Sequence, residues 1–193
     1  MGFLPQDAAK AVSGGGGGYL NPSKIQSGTS VRFRLLAKEP LCFFEVWAEA
    51  PDGGVKPFRF AEEPQPEEID IELGEYVRRS NRDGTGSEPA KFAIACPVWN
   101  YDTQKVEVMQ LSQKGLIREL DAISQQEDYT DLLAWDFTLG REGSGLSTEY
   151  SLRPAPQRKA ENGAITAALK EATDAGFDIS RLLTGGNPFK AEA

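Results

Sequence analysis

The sequence predicts a mainly β fold: an OB-fold-like small Greek-key barrel with one internal helix, a short C-terminal helix and a flexible N-terminal arm. Three observations predict it. Apolar residues alternate along several short segments bounded by turn residues. One segment of helical period separates an aromatic hairpin from a later pair of strands. Gly14 to Gly18 is a run of five glycines, which holds no single conformation unaided and reads as a tether. The expected division is an arm over 1–27, a binding barrel over 28–159, and a C-terminal helix and tail over 160–193.

Each element has a local reason. Met1 to Ser13 is weakly amphipathic, with Phe3, Leu4, Ala8, Ala9, Ala11 and Val12 as its apolar residues. Asn21-Pro22 supplies a cap and a first helical residue for one turn. Val31 to Leu36 alternates, Val31, Phe33 and Leu35 facing in and Arg32 and Arg34 facing out. Leu41 to Glu49 is a second strand, closed by the turn Pro51-Asp52-Gly53-Gly54, and Lys56 to Phe60 a short third. The stretch from Glu67 to Arg79 is partly helical, weakened by Gly74. A strand hairpin spans Lys91 to Leu111, turning at Tyr101-Asp102-Thr103-Gln104. Ser112 caps a helix from Gln113 to about Gln125, with Leu116, Ile117, Leu120 and Ile123 on one face. Leu133 to Gly140 and Leu146 to Arg153 form a last strand pair that Pro154 and Pro156 end. A final helix runs from about Gly163 to Thr173, and Phe177 to Ala193 shows no period.

Composition narrows the function classes. The 193 residues, 39% hydrophobic and 26% charged, are enough to bury a core. No apolar run reaches the roughly 18 residues of a membrane span, and the start does not match a secretory signal, so a cytoplasmic protein is expected. The chain has no histidine and two cysteines, Cys42 and Cys96, both in apolar runs. Zinc quartets and Ser-His or Cys-His nucleophile pairs are thereby excluded, and neither a metal nor a cofactor is expected. Without paired carboxylates at a helical spacing, a hydrolase is a minor reading, so the chain is not expected to be an enzyme.

Net charge is −8, but acid is concentrated. Glu62, Glu63, Glu67, Glu68, Asp70, Glu72 and Glu75 follow one another without a cation, as do the acids from Glu119 to Asp136. The strands between are locally basic, and local potential outweighs the sum. On the hairpin strand, Phe92, Ile94, Cys96 and Val98 share the core face. Ala93, Ala95, Pro97, Trp99 and Tyr101 share the other, small residues ending in two rings, as when something flat is laid across. Rings with flanking cations are suited to single-stranded nucleic acid. Trp99 and Tyr101 are therefore the expected stacking platform, each with an alternative place in the core. Arg32, Arg34, Arg59, Lys91, Lys105 and Arg153 are the expected phosphate contacts. Phe58, Phe60 and Tyr150 are weaker stacking candidates, and Trp47 and Trp135 are assigned to the core. The run from Glu62 to Glu75 is a candidate gate over the basic groove. The competing reading is an OB-like protein-interaction module that recruits replication or virion partners without binding nucleic acid.

The order of motifs resembles a known family. Tyr19-Leu20-Asn21-Pro22, Val31-Arg32-Phe33-Arg34-Leu35-Leu36, Trp47, Lys56-Pro57-Phe58-Arg59 and Val98-Trp99-Asn100-Tyr101 come first. Gln113-Lys114-Gly115, Trp135-Asp136-Phe137, Arg141-Glu142-Gly143, Thr148-Glu149-Tyr150 and Asn187-Pro188-Phe189 follow. Together they resemble the single-stranded DNA-binding proteins of tailed bacteriophages, whose best-known members carry a zinc subdomain that has no ligands here. The resemblance implies an OB-fold coating single-stranded DNA during phage DNA replication, recombination or repair. Self-association along the strand, through the N-terminal arm, is a further expectation. The Asn187-Pro188-Phe189 tail is expected to meet replication proteins, although Lys190-Ala191-Glu192-Ala193 displaces its free carboxylate.

Overall fold

The alternating apolar residues of the first long segment become two strands, β2 (Thr29–Leu35) and β3 (Leu41–Glu49). The structure, a computed structural model, describes residues 18–190. Both strands lie antiparallel along the same partner, β6 (Lys91–Asn100): Leu35 is opposite Val98, and Leu41 opposite Ala95. They act as one long strand interrupted between residues 36 and 40. Strand β6 turns into β7 (Lys105–Leu111), and β2 pairs on its other side with β8 (Trp135–Glu142), which pairs with β9 (Glu149–Pro156).

The sheet order is therefore β7-β6-β2-β8-β9, with the short β1 (Tyr19–Leu20) added in parallel to β7. A wing extends from β3, built from β4 (Val55–Phe60) and β5 (Val77–Arg78). Helix α1 (Pro66–Leu73) lies on one face of the wing, packing Ile69 and Leu73 against Val46 and Ala48. It stops at Gly74, whose φ of 56° few other residues adopt. Among the described residues no helix is long and apolar enough to cross a membrane.

The core follows from strand parity. Phe33 and Leu35, Ile94, Cys96 and Val98, Met109 and Leu111, Phe137 and Leu139, and Leu152 all point inward. Phe33 and Phe137 stack at 5.6 Å between centroids. Helix α2 (Lys114–Ser124) adds Leu116, Leu120 and Ile123, one face of a 3.6-residue period. Each such side chain removed from water stabilises the fold by about 1.5–3 kcal/mol.

Several boundaries differ from those the sequence suggested. Gln113, not Ser112, precedes α2, and its side chain makes no cap. Gly145–Ser147 is a 3-10 turn, so β9 begins at Glu149; Gly143, at φ 71°, sits where a Cβ would meet the Ser147 carbonyl oxygen at 2.1 Å. Residues 19–25, grouped with the arm by composition, belong to the folded body: Leu20 and Ile25 are buried in its main core. Residues 1–17, which carry the rest of the predicted arm, lie outside the described residues.

The C-terminal part does not stand apart as a tail. Helix α3 (Asn162–Asp174) and the 3-10 segment Ile179–Thr184 both fold onto the outer face of the sheet. Phe177, Ile179, Leu182, Leu183 and Phe189 cover Phe43, Ala93, Ala95 and Val108. Pro188 is buried, and Phe189 meets Tyr19 edge to face at 6.0 Å, so the Asn187-Pro188-Phe189 stretch is packed against the sheet.

Candidate nucleic-acid interface

The outer face of β6 is the one that sequence parity marked out, and it is covered. Trp99 is 4% exposed and Tyr101 6%, both packed with Leu36, Val106, Ile165 and Ala168. The expected stacking platform is thus corrected: the two rings accept the apolar row of α3, which has no other apolar surface to lie on. The Trp99 indole N–H is buried without a hydrogen-bond partner. The Tyr101 hydroxyl donates to Asp136 Oδ1 at 3.0 Å. Burial, together with that charged acceptor, pushes the phenol up to about 12. Tyr101→Phe is expected to cost about 1.5–3 kcal/mol, the range for a bond to a charged group, read as a lowered urea midpoint.

Asp136 is fully buried and is the hub beneath this cover. Arg34 Nε donates to it at 2.7 Å, Arg32 Nε and Nη2 at 3.1 and 3.0 Å, and the Arg158 amide at 3.0 Å. Arg34 Nη1 also donates to Asn162 Oδ1 at the start of α3, at 2.7 Å. Burial alone would raise the Asp136 carboxyl. The Arg34, Arg158, Arg32 and Tyr101 donors outweigh it and hold the group below the usual carboxylate range. Arg32 and Arg34 were expected on phosphates; they instead join β2 to β8 and to the C-terminal segment, because a buried carboxylate demands cations.

The other expected contacts scatter. Arg59 Nε is paired with Glu45 Oε2 at 3.0 Å, and its Nη1 donates to the Leu182 carbonyl at 3.3 Å. Lys91 is exposed opposite Glu45 in the register, paired with Glu88. Lys105 is exposed beside the hairpin turn and Arg153 on the outer face of β9, neither in an ion pair among the described residues. Tyr150 packs partly buried against the main core. Of the acidic run, Glu72 lines a shallow pocket with Lys56 and Arg59. Its helix lies on the Val46–Ala48 face of the wing, and among the described residues none of its carboxylates pairs with a cation.

The same outer face continues, uncovered, beyond Phe189. A cleft of about 510 Å³ opens there between β1, β3, β4 and β7, lined by Tyr19, Asn21, Trp47, Arg59, Gln110 and Gln113 among others. Its centre is Glu45, 5% exposed, which accepts from Trp47 Nε1 at 2.7 Å, Arg59 Nε at 3.0 Å and Gln110 Nε2 at 2.9 Å. Trp47, assigned to the core from sequence, is only half-buried; its ring is fixed by the indole N–H bond to Glu45. The Arg79 guanidinium stands 5.5 Å from that ring's centroid. Tyr19 is 44% exposed at the cleft's other wall. On the neighbouring part of the wing, Lys56 Nζ lies 4.5 Å from the rings of both Phe58 and Tyr76.

The signal for this cleft was present in the sequence. Val46 and Ala48 alternate with Glu45 and Trp47, so Trp47 shares a face with a charged residue and not with the core. Comparison with protein-family models, curated proteins and solved structures finds no match to this chain.

Proposed function

We propose that this protein binds single-stranded DNA with little sequence preference, through the open cleft on the outer face. The observation that carries the reading is Trp47, held by Glu45, flanked by Arg79 and facing a cleft that also exposes Tyr19. Fixed rings let unpaired bases stack at a cost already met in the free protein, and every base has a π-face to offer. Arg79, beside the Trp47 ring, and Lys91, opposite Glu45 in the register, are both exposed and offer phosphate partners on this face.

The topology supports an OB-fold reading. Taking β2 and β3 together as the first strand gives five strands in the order third-second-first-fourth-fifth, with α2 between the third and fourth. Residues 50–90 are then an insertion after the first strand. In such barrels oligonucleotides lie on the second and third strands and on the loops that follow the first and fourth. The cleft draws on the third of these strands, through Gln110, and on the end of the first, through Glu45 and Trp47, which favours the reading. A role in phage DNA replication, recombination or repair follows from the family resemblance.

Titration of tryptophan fluorescence with oligo-dT and with duplex DNA tests this. Quenching by the single strand alone is expected. Three phosphate contacts would give a log–log salt slope of about −2, at about 0.7 per contact. Absence of quenching at low salt would instead favour the protein-interaction module.

A further inference from the structure

The barrel interior is not sealed at the end where α2 packs. An apolar groove of about 440 Å³ runs between β3, β6 and α2, walled by Phe92, Ile94, Ile117, Leu120, Leu132 and Leu133. By register Cys42 lies opposite Ile94, next to the Phe44–Phe92 pair, in the row that faces inward. Yet Cys42 is exposed. Helix α2 spends Leu116, Leu120 and Ile123 on the core and stands away from the start of β3. Water therefore meets side chains of the main core, an arrangement that costs free energy in proportion to the apolar area left wet.

The rim of the groove carries both signs of charge: Lys38 and Arg118, Asp121 and Asp131. Among the described residues none of these four is in an ion pair. The chain has one segment outside the described residues that fits this surface in length, apolar content and charge. Residues 1–17 begin Met-Gly-Phe-Leu-Pro-Gln-Asp-Ala-Ala-Lys, bringing apolar Phe3, Leu4, Ala8 and Ala9 together with Asp7 and Lys10. They join the barrel at Gly18 after four more glycines, Gly14 to Gly17. Seventeen residues reach at most about 60 Å, against about 40 Å across a domain of this size.

We propose that the chain's own N-terminal segment docks in this groove, Phe3 and Leu4 on its apolar walls and Asp7 and Lys10 toward its charged rim. The glycines allow the path around the barrel, and tethering raises the local concentration of the segment to the millimolar range, about what a short linker supplies. Docking is independent of nucleic acid. It uses the opposite side of the sheet from the Trp47 cleft.

Cys42 reports the groove directly. Its alkylation by a small maleimide is measured in the full chain, in a chain lacking residues 1–17, and in the Phe3→Ala/Leu4→Ala variant, with mass spectrometry locating the adduct. Cys96, buried and with its thiol pushed up to about 12 by that burial, stays unreactive in all three and reports that the barrel is folded. Deletion and double substitution are each expected to raise the Cys42 rate about tenfold, and a synthetic peptide of residues 1–13 to slow it again in the deleted chain. The full-chain rate is expected to be constant across a hundredfold range of protein concentration, as an intramolecular contact requires. Equal rates in the three proteins overturn the proposal. So does protection that grows with concentration, which would place a neighbour's segment in the groove.

Discussion

Alanine at position 47 is expected to weaken oligo-dT binding by about 5- to 150-fold, the equivalent of roughly 1–3 kcal/mol for one lost stacking partner. The effect rests on a ring that the fold holds in place before any ligand arrives. Glu45 fixes the indole through its N–H, and Arg59 and Gln110 fix Glu45. Tyr19→Ala, at the far wall, is expected to act in the same direction. Trp99→Phe is the control: that ring is sealed under α3, so its replacement should leave affinity unchanged. The measurement is a binding isotherm at one fixed salt concentration, since affinity without it carries no meaning.

Loss of the Asp136 carboxylate should have the largest effect on stability. Asp136→Asn leaves the guanidinium of Arg34, itself 6% exposed, without its counter-charge, and Arg32 loses the same partner. Removing one member of a buried pair costs about 3–5 kcal/mol. The contact between the sheet and α3 should loosen first, because Arg34 links Asp136 to Asn162.

The pH dependence follows with a definite sign. The folded-state carboxyl lies below its unfolded value, so the unfolded chain binds more protons in the window between them. The contribution of Asp136 is complete above the unfolded value, near 3.9. It is lost as pH falls through the folded one. Acid unfolding followed by circular dichroism should show wild-type stability falling in that window, while Asp136→Asn, already lacking the contribution, falls less steeply.

Strand parity carried most of what the sequence revealed. Val31 to Leu35 and Phe92 to Val98 alternate cleanly, and their inward rows joined the main core. The Leu116-Leu120-Ile123 spacing placed α2 within a residue or two of its ends. Parity also separated the two faces of β6, but the outer one, expected to take bases, is covered by the chain's own C-terminal segment.

What covers that face was not legible. Phe177, Ile179, Leu182, Leu183 and Phe189 follow neither a helical nor a strand period, because a 3-10 turn and irregular backbone place them. The roles of Arg32 and Arg34 depend on Asp136, about a hundred residues away, which composition placed in an acidic stretch. Pairings of that kind are set by topology and leave no local signature. Trp47 was hidden for the opposite reason: Phe43 in its own row and Phe44, Val46 and Ala48 in the other are core-like, so a strand apolar on both faces masks the ring that faces the cleft.

The central claim is that the outer face is divided, half covered by the chain's own C-terminal segment and half open around Trp47. Three tryptophans make this measurable. Variants keeping one tryptophan each, the other two replaced by phenylalanine, are titrated with oligo-dT. The protein keeping only Trp47 should be quenched, and the one keeping only Trp99 should not respond. Quenching of Trp99 with Trp47 silent would contradict the account, placing the nucleic acid where α3 now lies.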